Sequence, residues 1–280
     1  MKQWFAVIGD PIAQSLSPCM HDEWLKENGL DASYVPIRVP RGTAADGISS
    51  LRLLGCSGWN VTVPHKSDVM PHLDRIDGQA ARMGAVNTVI READGTLTGA
   101  NTDGSGFVRA LEEVYGPNRK NDEILLIGAG GAAKGIAFAL EENGYGHMTV
   151  TNRTRERAEL LSSRLDRSAV LTIEEAEEQL GRFGIVIQTT TVGMSYSEAG
   201  VPLCLDSLEP GTAVIDIIYN PLETEFLKRA RARGAETTNG VGMFVHQGAL
   251  AFERWTGIRP DTAGMIRRLT QQLEEDHVNE

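Results

Sequence analysis

Cysteine is scarce in this chain of 280 residues: Cys19, Cys56 and Cys204 are odd in number and scattered. That excludes a disulfide framework and gives no basis for a thiolate zinc site. The six histidines stand apart, without a His-Glu-x-x-His or other metal-ligand spacing, so no metal is expected. Long apolar runs are also missing. The apolar start Trp4–Ile8 breaks at Gly9-Asp10-Pro11, too short for a secretory core or a membrane span. Positive charge is in deficit, 27 Lys and Arg against 38 Asp and Glu, a net charge of −11. A nucleic-acid binder needs a concentrated basic face, which this balance argues against. The expectation is a cytoplasmic enzyme or small-molecule binder, with neither nucleic acid nor membrane as partner.

What the chain does have is alternation. Short β-branched runs at Phe5–Ile8, Tyr34–Val39, Gly58–Val61, Asn87–Ile90, Ile124–Ile127, Met148–Thr151, Ile185–Gln188 and Ala213–Ile217 read as strands. Stretches of helical period separate them, at Met20–Glu27, Ala45–Leu54, Gly104–Tyr115, Ala132–Glu142, Glu156–Leu165 and Glu225–Arg233. Such alternation predicts an α/β protein with parallel sheets covered on both faces. The best break is Gly116-Pro117-Asn118. It divides an N-terminal α/β domain, 1–116, from a Rossmann-type dinucleotide domain, 117–239. The pattern then turns helical, at Val241–Trp255 and, with Asp261 as N-cap, Thr262–Leu273. These terminal helices, within 240–280, are expected to return to the first domain, leaving a cleft between two lobes.

The sharpest local signal is Ile124–Ile127 running into Gly128-Ala129-Gly130-Gly131-Ala132-Ala133. This is G-x-G-x-x-A between a strand and a helix. Gly128 permits the tight turn, Gly130 lets backbone approach a pyrophosphate, and Ala133 lets helix and strand pack closely. In NAD sites the second strand ends in a carboxylate for the ribose 2′-hydroxyl. Here Met148–Thr151 ends in Asn152-Arg153-Thr154-Arg155-Glu156-Arg157, with three Arg and no carboxylate at the tip. An Arg pairs with a 2′-phosphate, so the expected cofactor is NADP. The plainer alternative is a solvated helix start capped by Thr154, which suits Arg155.

The first domain carries polar groups at its strand ends. Ser15 and Ser17 lie two apart, a spacing that puts both on one face of an extended segment. Thr62 and Lys66 follow a strand in Asn60-Val61-Thr62-Val63-Pro64-His65-Lys66, Asn87 opens another, and Asp103 stands at a helix start. Each has a structural alternative: Ser17 and Asp103 as helix caps, Asn87 as a loop brace, Lys66 as a solvated charge. Together they offer hydroxyl, amide, ammonium and carboxylate groups to a small polyhydroxylated ligand. Lys66 with Asp103 makes an acid/base pair.

With these segments in order, the chain resembles the shikimate dehydrogenases over essentially its whole length. The resemblance rests on Gly9–His21, Asn60–Lys66, Gly84–Thr88, Asn101–Gly104, Gly128–Ala133, Asn152–Thr154, Asp216–Pro221 and Gly240–Ala249. It implies reversible reduction of 3-dehydroshikimate to shikimate by NADPH, a step toward the aromatic amino acids. It implies that Lys66 is the general acid/base and that Asp103 orients the same oxygen. Ser15, Ser17, Thr62, Asn87, Asp103, Tyr219 and Gln247 match substrate positions. Gly128, Ala129, Gly130, Gly131, Ala132, Asn152, Arg153, Thr154, Arg157, Ile217 and Gly240 match cofactor positions.

The chain departs from the family pattern at Asp22, where Asn is common, at Gly78 beside Asp77, where an acid is common, and at Ile217, where Met is. Two rivals remain, a quinate/shikimate dehydrogenase with relaxed NAD and NADP use and a non-catalytic NADP-binding sensor. The two-lobed methylenetetrahydrofolate dehydrogenases would not explain the Ser15/Ser17 pair. Monomer and homodimer are both open.

Overall fold

A computed structural model describes residues 2–195 and 200–279, the side chains of 277–279 excepted. It divides into two compact units. One takes the chain through Asp103 together with Val245–Met265; the other takes Gly104–Phe244 and the chain from Ile266.

The first unit is built on β1 (Gln3–Gly9), α1 (Ser17–Glu27), β2 (Ala32–Arg38), α2 (Ala44–Leu53), β3 (Gly58–Val61), β4 (Arg75–Ile76), α3 (Gly78–Met83), β5 (Thr88–Arg91) and β6 (Leu97–Ala100). Its sheet runs β2-β1-β3-β5-β6-β4. The sequence reading expected parallel strands throughout, and that is corrected here. β5 runs antiparallel to both β3 and β6. The β5/β6 pairing follows from the five-residue turn between them. Asp94 Oδ1 accepts from the Thr96 N–H at 2.9 Å, and Gly95 takes a positive φ of 83°. A turn that short can only return the chain antiparallel.

The second unit contains α4 (Asp103–Tyr115), whose first residue still belongs to the first, and β7 (Ile124–Ile127), α5 (Gly131–Glu142), β8 (Met148–Thr151), α6 (Arg155–Ser162), β9 (Ser168–Leu171) and α7 (Ile173–Glu178). It continues with β10 (Ile185–Gln188), β11 (Ala213–Asp216), α8 (Glu225–Ala232) and β12 (Glu236–Thr238). Its sheet is all parallel in the order β12-β11-β10-β7-β8-β9. That is the order of a dinucleotide-binding sheet, and the strand order reverses between β7 and β10. β7, β10 and β11 are buried at every position, as strands with helices on both faces must be.

The unit boundary falls at Asp103/Gly104, earlier than the Gly116 break expected from composition. Packing explains the difference. At Gly104 a Cβ would stand 2.2 Å from the Gly135 carbonyl oxygen, so glycine lets α4 lie against α5 and join its unit.

The closing helices are α9 (Val241–Thr256) and α10 (Thr262–Asn279), with Asp261 Oδ1 accepting from the Gly264 N–H at 3.0 Å as an N-cap does. They do not all return to the first unit: Val245–Met265 groups with it, and the chain from Ile266 groups with the second. Trp255 anchors the returning part. Its Nε1 donates to the Val89 carbonyl at 3.0 Å and its ring stacks on Phe5 at 5.1 Å. Gly58 leaves the space, since a Cβ there would come within 2.4 Å of that indole nitrogen.

Candidate active site and dinucleotide loop

Lys66 sits in the turn after β3, where its own carbonyl accepts from the Val86 N–H at 2.7 Å. Its Nζ donates to Asp103 Oδ2 at 2.6 Å. The ammonium side chain is 33% exposed and the carboxylate 15%, so the pair is more than a solvated surface contact. Asn87 holds the other side. Its Nδ2 donates to Asp103 Oδ1 at 2.7 Å and to Thr102 Oγ1 at 3.0 Å, while its Oδ1 accepts from the Thr102 N–H at 2.9 Å. The Asp103 N–H donates to Asn101 Oδ1 at 3.0 Å. The solvated-charge reading of Lys66 therefore fails. Asn87 serves both as a loop brace and as a direct partner of the carboxylate.

Behind Asn87 lies a buried relay that the sequence reading missed. Thr88 Oγ1 donates to Asn87 Oδ1 at 2.8 Å, Asn60 Nδ2 donates to Thr88 Oγ1 at 3.2 Å, and the Tyr34 hydroxyl donates to Asn60 Oδ1 at 2.7 Å. Burial pushes the Tyr34 phenol well above its ordinary pKa, and a hydrogen bond with Ser17 works against that shift. Asn60 lies within the Asn60–Lys66 segment, and an amide inside a strand run is the sequence signal for a buried polar group that must find partners. Tyr34 could not be found so, because its partner is 26 residues away.

Ser15 and Ser17 lie together, though not on an extended segment as expected. The Ser15 N–H closes a turn on the Ile12 carbonyl, and Ser17 is the first residue of α1. Ser15 Oγ accepts from the Ser17 N–H at 3.3 Å. Leu16 holds the cap position with no side-chain bond, so Ser17 is not the N-cap that its structural alternative required. Thr62 follows β3, donates its N–H to the Ile8 carbonyl at 2.9 Å and sets its methyl over Gly9. Gln247 is half-buried on α9 within the first unit; Tyr219 belongs to the second. Of the departures, Asp22 accepts from the Tyr34 N–H at 2.8 Å. Asp77 caps α3 and pairs with Arg254 at 3.1 Å, so both tasks are structural.

The dinucleotide loop leaves room for a pyrophosphate. Gly128 has φ of 111°, and a Cβ there would meet Thr189 Oγ1 at 2.4 Å. Around Gly130 and Gly131 nothing lies within 4 Å of a Cβ position. Gly130 caps α5 without a side-chain bond, leaving the first-turn N–H groups open toward an anion. Ala129 is buried, Ala132 half-buried, and Ala133 fully buried against the sheet. At the end of β8, Asn152 Nδ2 folds onto the Thr154 carbonyl at 2.8 Å, while Arg153, Thr154 and Arg157 are exposed. Thr154 occupies the cap position of α6 but makes no side-chain cap bond. Arg155 pairs with Glu159 at 2.9 Å, the ordinary helix-surface role expected for it. Ile217 and Gly240 line a small apolar pocket with Phe107, Leu111, Tyr115 and Met243.

Comparison with known proteins decides the family. Residues 7–89 match the shikimate dehydrogenase substrate binding domain, 110–199 the shikimate / quinate 5-dehydrogenase family, and 240–270 the shikimate 5'-dehydrogenase C-terminal domain. The shikimate dehydrogenase (NADP(+)) of Lysinibacillus sphaericus is 48% identical over 273 residues, 98% of this chain and 99% of its own. The chain belongs to the shikimate dehydrogenase family. It is therefore an oxidoreductase of the α/β class.

Among solved members, shikimate 5-dehydrogenase from Thermus thermophilus, in complex with NADP(H) and shikimate, is 37% identical with a TM-score of 0.87. That match covers 97% of this chain and 99% of the other. Quinate dehydrogenase from Corynebacterium glutamicum, in complex with NAD, is 32% identical with a TM-score of 0.89, covering 96% and 99%. The family fold thus carries more than one specificity, and side chains must choose between them. Among the described residues no helix is long and apolar enough to cross a membrane, and no group of three or more His, Cys, Asp or Glu could hold a metal.

Proposed function

We propose that this chain interconverts 3-dehydroshikimate and shikimate with NADPH and NADP, as a step toward the aromatic amino acids. The observation that carries the reading is the Lys66–Asp103 pair, fixed from behind by Asn87. NADPH, when bound, supplies the hydride. Gly128, Ala129, Gly130, Gly131 and Ala132 would hold its pyrophosphate. Asn152, Arg153, Thr154 and Arg157 would receive its 2′-phosphate, and Ile217 and Gly240 would contact its nicotinamide.

As negative charge develops on the carbonyl oxygen, the Lys66 ammonium donates a proton to it; in the reverse direction the amine takes that proton back. Asp103 accepts from Lys66 and from the reacting hydroxyl, so it orients both. Asn87, Thr62, Tyr219 and Gln247 hold the remaining hydroxyls, and Ser15 with Ser17 takes the substrate carboxylate. Arg153, and the absence of a carboxylate at the end of β8, favour NADP over NAD. The paired serines favour shikimate over quinate.

The test is direct. Purified protein mixed with NADPH and 3-dehydroshikimate should consume the reduced nicotinamide, followed by its near-ultraviolet band. NADPH that binds but is not consumed would replace this reading with a non-catalytic sensor.

A further inference from the structure

Asp216 ends β11 as a wholly buried carboxylate. Its Oδ1 accepts from the Ile218 N–H at 3.0 Å and its Oδ2 from the Thr224 hydroxyl at 2.7 Å. Those donors stand at opposite ends of the segment leading from β11 to α8. One side chain therefore spans residues 217–224. Thr224 in turn accepts from the Leu227 N–H at 3.3 Å and caps α8.

The rest of the segment is tied by neutral groups. The Ile217 N–H donates to the Gln188 carbonyl at 3.1 Å, the Gly240 N–H to the Ile218 carbonyl at 2.9 Å, and Asn239 Nδ2 to the Leu222 carbonyl at 3.1 Å. The Tyr219 ring rests on Phe244 at 4.9 Å. Ile217 and Tyr219, which carry proposed cofactor and substrate roles, both lie within the span of the Asp216 clamp.

Among the described residues no cation pairs with this carboxylate. β10 sets the neutral Gln188 beside it in register. On β12, Glu236 is exposed and paired with Arg119; on α8, Glu225, Lys228 and Arg229 are exposed, and Glu223 just before it pairs with Arg231. Burial therefore governs the group and pushes its pKa up to about 6, against the pull of its two hydrogen bonds. A buried anion without a cation costs stability, so stability does not account for an acid at this position.

We propose that Asp216 is a positioning residue: in its ionised form it fixes the segment that carries Ile217 and Tyr219, and its protonation loosens the Thr224 end and slows turnover. The proposal rests on the roles given to those two residues above. A protonated carboxyl can keep the Thr224 contact only by reversing it, its O–H donating to Oγ1. Both contacts then fall from charge-assisted to neutral strength, which loosens the Thr224 end while the Ile218 bond keeps its direction.

The experiment compares pH profiles of wild type, Asp216→Asn and Thr224→Val, with carboxyl-carbon and backbone-amide NMR on the same proteins. In wild type, turnover should fall about tenfold from about pH 7.5 to about pH 5, the rate equivalent of one hydrogen bond to a charged group. NADPH affinity should change less than about twofold, because the phosphates are held elsewhere. Asp216→Asn should sit near the low level throughout and lack that acid limb. Thr224→Val removes a donor to the ionised form and should move the limb to higher pH, and Thr224→Ser should restore it.

The Asp216 carboxyl signal and the Ile218 amide should titrate together. An acid limb that persists unchanged in Asp216→Asn, or a carboxyl that titrates without moving the Ile218 amide, overturns the proposal. Inactivity with 3-dehydroshikimate at every pH overturns the functional reading instead, and the clamp is then decided by the NMR titration alone.

Discussion

Lys66 Nζ and Asp103 Oδ2 stand 2.6 Å apart although 37 positions separate them in the chain. The turn after β3 delivers one and the start of α4 the other, and Asn87, next to β5, braces the carboxylate at 2.7 Å. An ammonium held this way has a proton to give and a fixed direction in which to give it. Lys66→Ala should lower kcat by about 100- to 10,000-fold, the usual span for a general acid/base. KM for shikimate should change less than about threefold, because other groups hold the substrate. Steady-state kinetics checks this. Unchanged kcat would remove Lys66 from the proton transfer.

Arg153 should separate the two nicotinamide cofactors. Only NADPH carries the 2′-phosphate, so Arg153→Ala should weaken NADPH about ten- to a hundredfold by loss of a charge-assisted contact, and leave NADH nearly alone. Calorimetric titration with both cofactors reads the difference. Equal losses would make Arg153 a structural residue.

Much of this is legible in the sequence alone. The strands Gly58–Val61, Ile124–Ile127, Met148–Thr151 and Ile185–Gln188 keep in the structure the limits read from the sequence, because each is a short run rich in apolar or β-branched residues, buried at every position. The sequence reading omits both edge strands, for different reasons: β12 (Glu-Thr-Thr) has no apolar residue, and β9 (Ser-Ala-Val-Leu) is apolar but only four residues long and buried at none of them. It also omits β6, where Gly99 interrupts the pattern. Helix α7 was also missed, although Thr172 and Glu175 form a capping box. Within the site, the clustering of Lys66, Asn87 and Asp103 was expected. The relay through Tyr34, Asn60 and Thr88 was not, because it is assembled by strand register, and register is set by packing between distant segments.

His21 should make the protein acid-sensitive. It is fully buried beside Trp24, Tyr34, Phe252 and Trp255, and burial lowers its pKa from 6.5 to about 3. The unfolded chain therefore binds the proton more readily. The stability tied to neutral His21 is complete above about pH 6.5 and drains as pH falls toward the folded value, with about 2 kcal/mol gone at about pH 5. Asp216 has the opposite sign. Its raised pKa means that acid relieves a cost present above about pH 6. The contribution of His21 is thus isolated by subtracting denaturation curves of His21→Leu from those of wild type across the acid range. A difference that does not vary with pH would show that His21 is not held neutral.

Two glycines should respond unequally to a single methyl. At Gly104 the new Cβ meets the Gly135 carbonyl oxygen at 2.2 Å, and backbone within a helix cannot move aside. At Gly248 it meets Met20 Cε at 2.2 Å, the far end of a flexible side chain. Gly104→Ala should cost about 3 kcal/mol or more and Gly248→Ala about 1, since overpacking is expensive only where nothing yields. Urea denaturation of both variants measures this. A larger loss at Gly248 would contradict the packing of α4 on α5.

The central claim is chemical, and one assay meets it directly. Shikimate and quinate are each offered with NADP and with NAD, and formation of the reduced nicotinamide is followed. The account predicts strong reduction of NADP by shikimate and little signal in the other three mixtures. Comparable turnover with NAD or with quinate would contradict it, and would assign this chain to the relaxed quinate/shikimate branch of its family.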